Sequence, residues 1–299
     1  MPNDARVPER DRAEGSVVEL VAAEGSIDEL SARYQSNRPH PHIVLDDVLP
    51  IEVARRAARE FDELPSDRWN YYGHYTDQSY SCMGNEHLPD QLRAIVRELQ
   101  GRPVVALLER LSGIDGLLPD PEMRSCGLLL MRPGHYKFIH ADYQIHATQP
   151  RWLRRVNLLL YFNEDWKDEY NGHLVLGDPD RSTDAVRITP LLNRCVVFTT
   201  TRETLHGVPD RIACPPGMAR KVLMLQYYTE ERQPPAFETS VYRAPRALGR
   251  RGDLIVRAEN RLLWLYWLGK RKLGISDRPA GVVFGLVRRL RGLPAKRSA

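Results

Sequence analysis

Between Cys126 and Tyr228 the chain is cut into short apolar segments, CGLLLM, KFIH, RRVNLLLYF, HLVL, AVRI, RCVVFT and KVLMLQYY. PGH, NEDWKDEYNG, GDPDRS and ACPPGM stand between them as turn material. Short strands with irregular polar connections predict an all-β unit, a sandwich or barrel of the jelly-roll type. No repeat of about 20 to 50 residues accompanies the pattern, so a solenoid or propeller is excluded.

The preceding half reads differently. HIVLD alternates as a short strand, and Pro50 opens PIEVARRAAREFDEL, where Val53, Ala57, Ala58 and Phe61 recur at helical spacing. Leu92 to Leu99 and Val104 to Leu111 give two more helices, separated by Gly101-Arg102-Pro103. The expected class is α+β, with residues 38–125 mainly helical and 126–230 forming the barrel. Residues 1–37 are polar and broken by Gly and Pro, and are expected to be a loosely held arm with one short helix opened by the capping box Ser26-Ile27-Asp28-Glu29. Residues 231–299 form a basic amphipathic extension.

The 299 residues suffice for a substantial core, and 42% hydrophobic with 27% charged residues is a soluble composition. The longest apolar runs, Leu262 to Gly269 and Pro279 to Val287, fall well short of the ~18 residues of a membrane span. The start, MPNDARVPERDRAEG, lacks the apolar stretch of a secretory signal, so a cytoplasmic location is expected, with peripheral membrane contact left open as an option for the tail. Cys82, Cys126, Cys195 and Cys214 match no zinc spacing and read as small buried hydrophobes. The net charge of +4 is unevenly spread: from Tyr242 onward it is +12, and before it −8.

Chemistry concentrates in Phe138-Ile139-His140-Ala141-Asp142. On a strand, residues two apart share a face, so His140 and Asp142 project together. Leu205-His206-Gly207-Val208 offers a second imidazole from another strand. Two His and one carboxylate form the facial triad of non-haem Fe(II) oxygenases, which leaves coordination positions open. H-x-D alone is weak, and a hydrogen-bonded core histidine is the ordinary alternative for His140. Arg220 shifts the balance, because an arginine at the head of the apolar strand RKVLMLQYY requires an anion, and a carboxylate fits its fork. Tyr161 offers a hydroxyl to that anion, and Asn157 shares its face by alternation.

The ordered set of His140-x-Asp142, RRVNLLLYFNEDW, a Gly-containing strand start, RCVVF, LHGV and Arg220 resembles the prolyl 4-hydroxylase-like 2-oxoglutarate/Fe(II)-dependent dioxygenases over about His40 to Tyr228. The resemblance implies a double-stranded β-helix. In it His140, Asp142 and His206 bind Fe(II), and Arg220 grips the distal carboxylate of 2-oxoglutarate with Tyr161 assisting; Asn157 is assigned to the co-substrate site by its shared strand face. It further implies hydroxylation of a C–H bond in a peptidyl proline or small metabolite, with succinate and CO2 released and L-ascorbate as a candidate reductant. A small residue at position 142 would open a halide site, so Asp142 points to hydroxylation. The chain departs from its relatives at Gly172-His173, where Gly-Gly is usual, and in a long loop between His206 and Arg220. Two alternatives remain: a cupin-like metal dioxygenase without 2-oxoglutarate, and a non-catalytic peripheral membrane or interaction protein on an oxygenase fold.

His135 and His146 flank the H-x-D strand and read as surface or supporting residues, while His40, His42, His74 and His87 show no ligand spacing. There is no G-x-S-x-G elbow, phosphate loop or dinucleotide fingerprint. In the tail, RAENRLLWLYWLGKR (257–271) and PAGVVFGLVRRLR (279–291) set aromatic and aliphatic clusters beside cations. Such a composition suits a membrane interface, and equally a helix packed on the barrel or on a second subunit through Trp264 and Trp267. No nucleic-acid-binding module accompanies the charge.

Overall fold

The computed structural model describes residues 16–236 and 239–273. Five helices precede most of the strands: α1 (Val17–Ala22), α2 (Ile27–Ser36), α3 (Ile51–Glu63), α4 (Asp90–Leu99) and α5 (Arg102–Ser112). The strands are β1 (His42–Leu45), β2 (Asn70–Gly73), β3 (Gln78–Met83), β4 (Leu118–Pro119), β5 (Gly127–Met131), β6 (Lys137–Ala141), β7 (Trp152–Tyr161), β8 (Leu174–Leu176), β9 (Val186–Ile188), β10 (Cys195–Thr199), β11 (His206–Val208), β12 (Arg220–Glu230) and β13 (Val241–Tyr242). A last helix, α6, covers Gly249–Leu273.

All strand pairs are antiparallel. The larger sheet runs β1-β10-β7-β12-β5-β3-β2 with β4 on β12, and the smaller runs β13-β6-β11-β8-β9. Period-two alternation sorts the apolar residues of β7 onto two sides. Leu158 and Leu160 pack with Leu92, Ile95 and Leu108 of the helices, whereas Leu159 and Tyr161 pack with Leu174 and Leu176 of the smaller sheet. The sheets therefore face each other across an apolar layer, and the helices cover the far side of the larger one.

The segment expected to be a loose arm is built into this core from residue 17 onward. Ser16 and Ser26 each form a reciprocal capping box, with Glu19 and Glu29. Val17, Leu20, Val21, Leu30 and Tyr34 recur at helical spacing and are buried, each contributing roughly 1.5–3 kcal/mol. The Tyr34 hydroxyl also bonds Thr199 Oγ1 of β10 at 2.8 Å. The first half likewise holds more strand than its helical reading suggested, since β1, β2 and β3 all extend the larger sheet. The four cysteines are free and buried, as the sequence indicated.

Candidate active site

The smaller sheet brings the H-x-D segment to the second histidine. His206 of β11 is in register with His140 of β6 and with Leu176 of β8. Close approach of these backbones depends on Gly207, where a Cβ would meet the Phe138 carbonyl oxygen at 2.8 Å. The rings of His140 and His206 have centroids 4.4 Å apart. His140 Nε2 lies 3.5 Å from Asp142 Oδ1, and His206 Nε2 lies 3.6 Å from Asp142 Oδ2. One ligand atom from each residue falls within 4.8 Å of the others.

The local contacts leave these atoms available to a metal. His140 Nδ1 donates to the Phe138 carbonyl at 3.0 Å, so Nε2 carries the free lone pair. His206 Nδ1 is buried without a hydrogen-bond partner. Burial pushes the pKa of His206 down to about 3, although Asp142 opposes the shift, and a neutral imidazole is the ligating form. Burial alone would raise the pKa of Asp142, but the cations facing it, Arg154 first, hold it well below the usual carboxylate range. Two imidazole nitrogens and a carboxylate oxygen form a donor set suited to Fe(II).

Arg154 is the site residue that the sequence reading missed. Its Nη1 lies 2.8 Å from Asp142 Oδ2, the side chain is 1% exposed, and its guanidinium stacks 4.0 Å from the Tyr143 ring. Strict alternation along β7 puts Arg155, not Arg154, on the face of Asn157 and Tyr161. The ladder with β12 pairs Tyr227 with Val156 and Tyr228 with Arg154, and skips Arg155. This β-bulge inserts one residue and turns Arg154 toward Asp142. Asn157, read as a co-substrate residue, instead donates its Nδ2 to Asp142 Oδ2 at 2.8 Å. Both contacts fall on Oδ2, which leaves Oδ1 as the less engaged oxygen.

Arg220 and Tyr161 do come together. Arg220 Nη2 donates to the Tyr161 hydroxyl at 3.3 Å and Nε to the Gly172 carbonyl at 2.6 Å. Gly172 has φ +77, and a Cβ there would meet the Arg220 side chain at 3.2 Å and Ile212 at 2.9 Å, so glycine is required where the chain passes over the arginine. Arg220 is buried, no carboxylate pairs with it among the described residues, and burial lowers its pKa. A desolvated guanidinium without a counter-anion is costly, and a carboxylate ligand would satisfy it.

The remaining histidines support the site or stand apart from it. His146 accepts at Nδ1 from the Thr148 and Gln149 amides, and its Nε2 lies 3.2 Å from Asp120 Oδ2. His135 stacks on Tyr80 at 5.5 Å. His173, at the Gly172-His173 departure, bonds Asp168 through Nε2 at 2.7 Å. His40 was given no role, yet its ring lies 5.9 Å from Phe198, which lies 5.0 Å from His206. A cleft of about 380 Å³ beside it includes Arg38, Asp178, Thr201 and Arg243. A second cleft of about 220 Å³ shares Thr201 and includes Gln144, whose Nε2 donates to the Asp142 carbonyl at 2.9 Å.

Two histidines of the smaller sheet and an aspartate just beyond β6, close enough to share one ion, make a candidate mononuclear metal site. The family model of the 2OG-Fe(II) oxygenase superfamily matches residues 126–229, and that region belongs to the superfamily. The matched region thus carries the signature of the 2-oxoglutarate-dependent dioxygenases, whose cofactors are Fe(II) and 2-oxoglutarate. A prolyl-4-hydroxylase of Pseudomonas putida has a similar fold, with 19% identity, 68% of this chain and 100% of that one covered, and a TM-score of 0.50. A prolyl 4-hydroxylase of Phytophthora capsici covers 96% of this chain and 98% of its own at 17% identity, with a TM-score of 0.49. A prolyl hydroxylase from Trichoplax adhaerens, in complex with a hypoxia inducible factor peptide fragment, gives 17% identity, 68% and 90% coverage and a TM-score of 0.47. No curated protein sequence matches the chain.

Proposed function

We propose that the chain is a hydroxylase built on a double-stranded β-helix, in which His140, Asp142 and His206 hold Fe(II) and Arg220 with Tyr161 holds the distal carboxylate of 2-oxoglutarate. The observation that carries this reading is the buried Arg220, which lacks a carboxylate partner among the described residues and lies on the strand next to Tyr161. When bound, the metal and co-substrate supply the oxidation of an unactivated C–H bond coupled to decarboxylation to succinate. The protein's own part is positional. His140 presents Nε2 because Nδ1 is fixed by the Phe138 carbonyl, and Arg154 with Asn157 engages one oxygen of Asp142. The apolar layer around Tyr161, Leu174 and Leu176 keeps water from the Arg220 end.

The substrate reading rests on the two clefts that meet at Thr201. One includes Gln144, which bonds the Asp142 carbonyl, and the other includes His40, which lies beside Phe198, so the two clefts sit side by side near the ligand set. Adjacent clefts of mixed lining favour an extended substrate over a compact one, and a peptidyl proline is the first to test ahead of small metabolites. The test measures succinate release by the Fe(II)-loaded protein across proline peptides and polar metabolites. Stimulation by a peptide above the uncoupled rate supports the reading. Succinate formation that only metabolites stimulate overturns the peptide assignment, and no 2-oxoglutarate turnover under any condition overturns the co-substrate assignment.

A further inference from the structure

The exposed large hydrophobic side chains of the described residues are concentrated on α6 and its approach. On the helix, Leu254 is 66% exposed, Leu262 41%, Leu265 49%, Trp264 38% and Trp267 37%. At 100° per residue, Leu254, Leu262 and Leu265 form one stripe. The helix is anchored by its opposite side: Val256 joins the cluster of Tyr136 and Phe138, Glu259 accepts from the Tyr75 amide at 3.1 Å, and Asn260 bonds Tyr242. Val256, Glu259 and Asn260 thus dock α6, while Trp264 and Trp267 remain partly exposed. The second basic-apolar run, 279–291, lies outside the described residues.

Charge identifies the partner. Between Gly249 and Leu273 the helix carries seven cationic residues against two acids, and one of those acids, Glu259, is buried against Tyr75. Arg250, Arg251 and Arg261 are exposed and border the leucine stripe, and Arg261 lies 5.9 Å over the Trp264 ring. A second copy of α6 on this stripe would set arginine against arginine, whereas an anionic bilayer surface takes both the leucines and the guanidinium groups. No described helix is long and apolar enough to cross a membrane. We propose that α6 is an interfacial helix that docks the protein onto an anionic lipid surface, with Leu254, Leu262 and Leu265 entering the headgroup boundary and Trp264 at its edge.

The test is co-sedimentation of the full chain with vesicles of phosphatidylcholine alone or phosphatidylcholine with phosphatidylserine, read together with tryptophan emission. Binding is expected only to the serine-containing vesicles, with a blue shift of emission and release as salt rises. Replacing Arg250, Arg251 and Arg261 together by Gln is expected to weaken binding about a hundredfold, at roughly fivefold per cation. Leu254→Gln with Leu265→Gln is expected to remove the blue shift while leaving 2-oxoglutarate turnover unchanged, because both side chains face solvent. Equal binding to both vesicle types overturns the proposal. Undiminished anionic binding by the arginine variant also overturns it, by assigning the lipid contact to another part of the chain. A lipid-free dimer that the leucine variant dissociates overturns it in favour of self-association.

Discussion

Arg154 and Asp142 form a buried ion pair, 2.8 Å between Nη1 and Oδ2, within the residue set that converges on the metal position. The carboxylate thus already has one cation beside it before any metal arrives. Breaking a buried pair from either side leaves the other charge uncompensated, at a cost of roughly 3–5 kcal/mol.

Asp142→Ala is therefore expected to destabilise the protein by about that amount as well as abolish metal binding, because Arg154 remains buried. Arg154→Met is expected to destabilise the metal-free form similarly, with much of the loss recovered when a divalent metal compensates Asp142. Urea unfolding with and without Ni(II) as a redox-inert probe measures both. A metal-induced gain no larger in Arg154→Met than in the wild type would refute the shared-carboxylate account.

His140→Ala and His206→Ala remove a ligand without orphaning a buried charge. Both are expected to lose Fe(II) retention and turnover while keeping near-native stability, which metal analysis after gel filtration and thermal unfolding report. Retained stoichiometric iron in either variant removes that residue from the ligand set.

Replacement of Arg220 separates a co-substrate anchor from a structural residue. Arg220→Ala is expected to raise the KM for 2-oxoglutarate by about thirtyfold to several thousandfold, equivalent to roughly 2–5 kcal/mol, with Lys restoring part of the loss because it lacks the planar fork. Since no carboxylate pairs with Arg220 among the described residues, Arg220→Met should leave the metal-free protein as stable as the wild type or more so. A large loss of stability with an unchanged KM would make Arg220 structural.

Metal-free stability should fall in acid before the carboxylates titrate. His206 has its folded pKa pushed down to about 3, below its unfolded value of about 6.5. Above pH ~6.5 both states are neutral and the group contributes nothing. Below it only the unfolded chain takes up the proton, at about 1.4 kcal/mol per pH unit, until the folded pKa is reached. Burial pushes His40 and His135 down to about 4, which acts in the same direction. The depressed pKa of Asp142 adds a further loss once pH falls through the unfolded carboxylate range. Denaturant midpoints at pH 7, 6 and 5 test this, and a flat profile would contradict it.

The strand pattern from Cys126 onward, the H-x-D pair, His206 and Arg220 were legible because they rest on period two and on residue chemistry that local sequence carries. The apolar segments fall on β5 to β10 and β12, and LHGV supplies β11. Arg154 was hidden because its orientation depends on a bulge opposite Tyr227 and Tyr228, set by strand register and invisible to alternation. Asn157 was placed on the right face, but its partner, Asp142, comes from another strand's end. The helices of residues 17–36 were underestimated because they are short, and their burial depends on α5 lying beside them. His40 had no signal at all, since only the path of the chain past Phe198 brings it near His206.

Tyr242 pairs in register with His140 and stacks on its ring at 5.0 Å, while Asn260 bonds both the amide and the carbonyl of Tyr242. The first histidine of the metal set is thus finished by residues made long after it. The same helix whose outer face carries the exposed leucines therefore also fixes, through Asn260, the strand that covers His140.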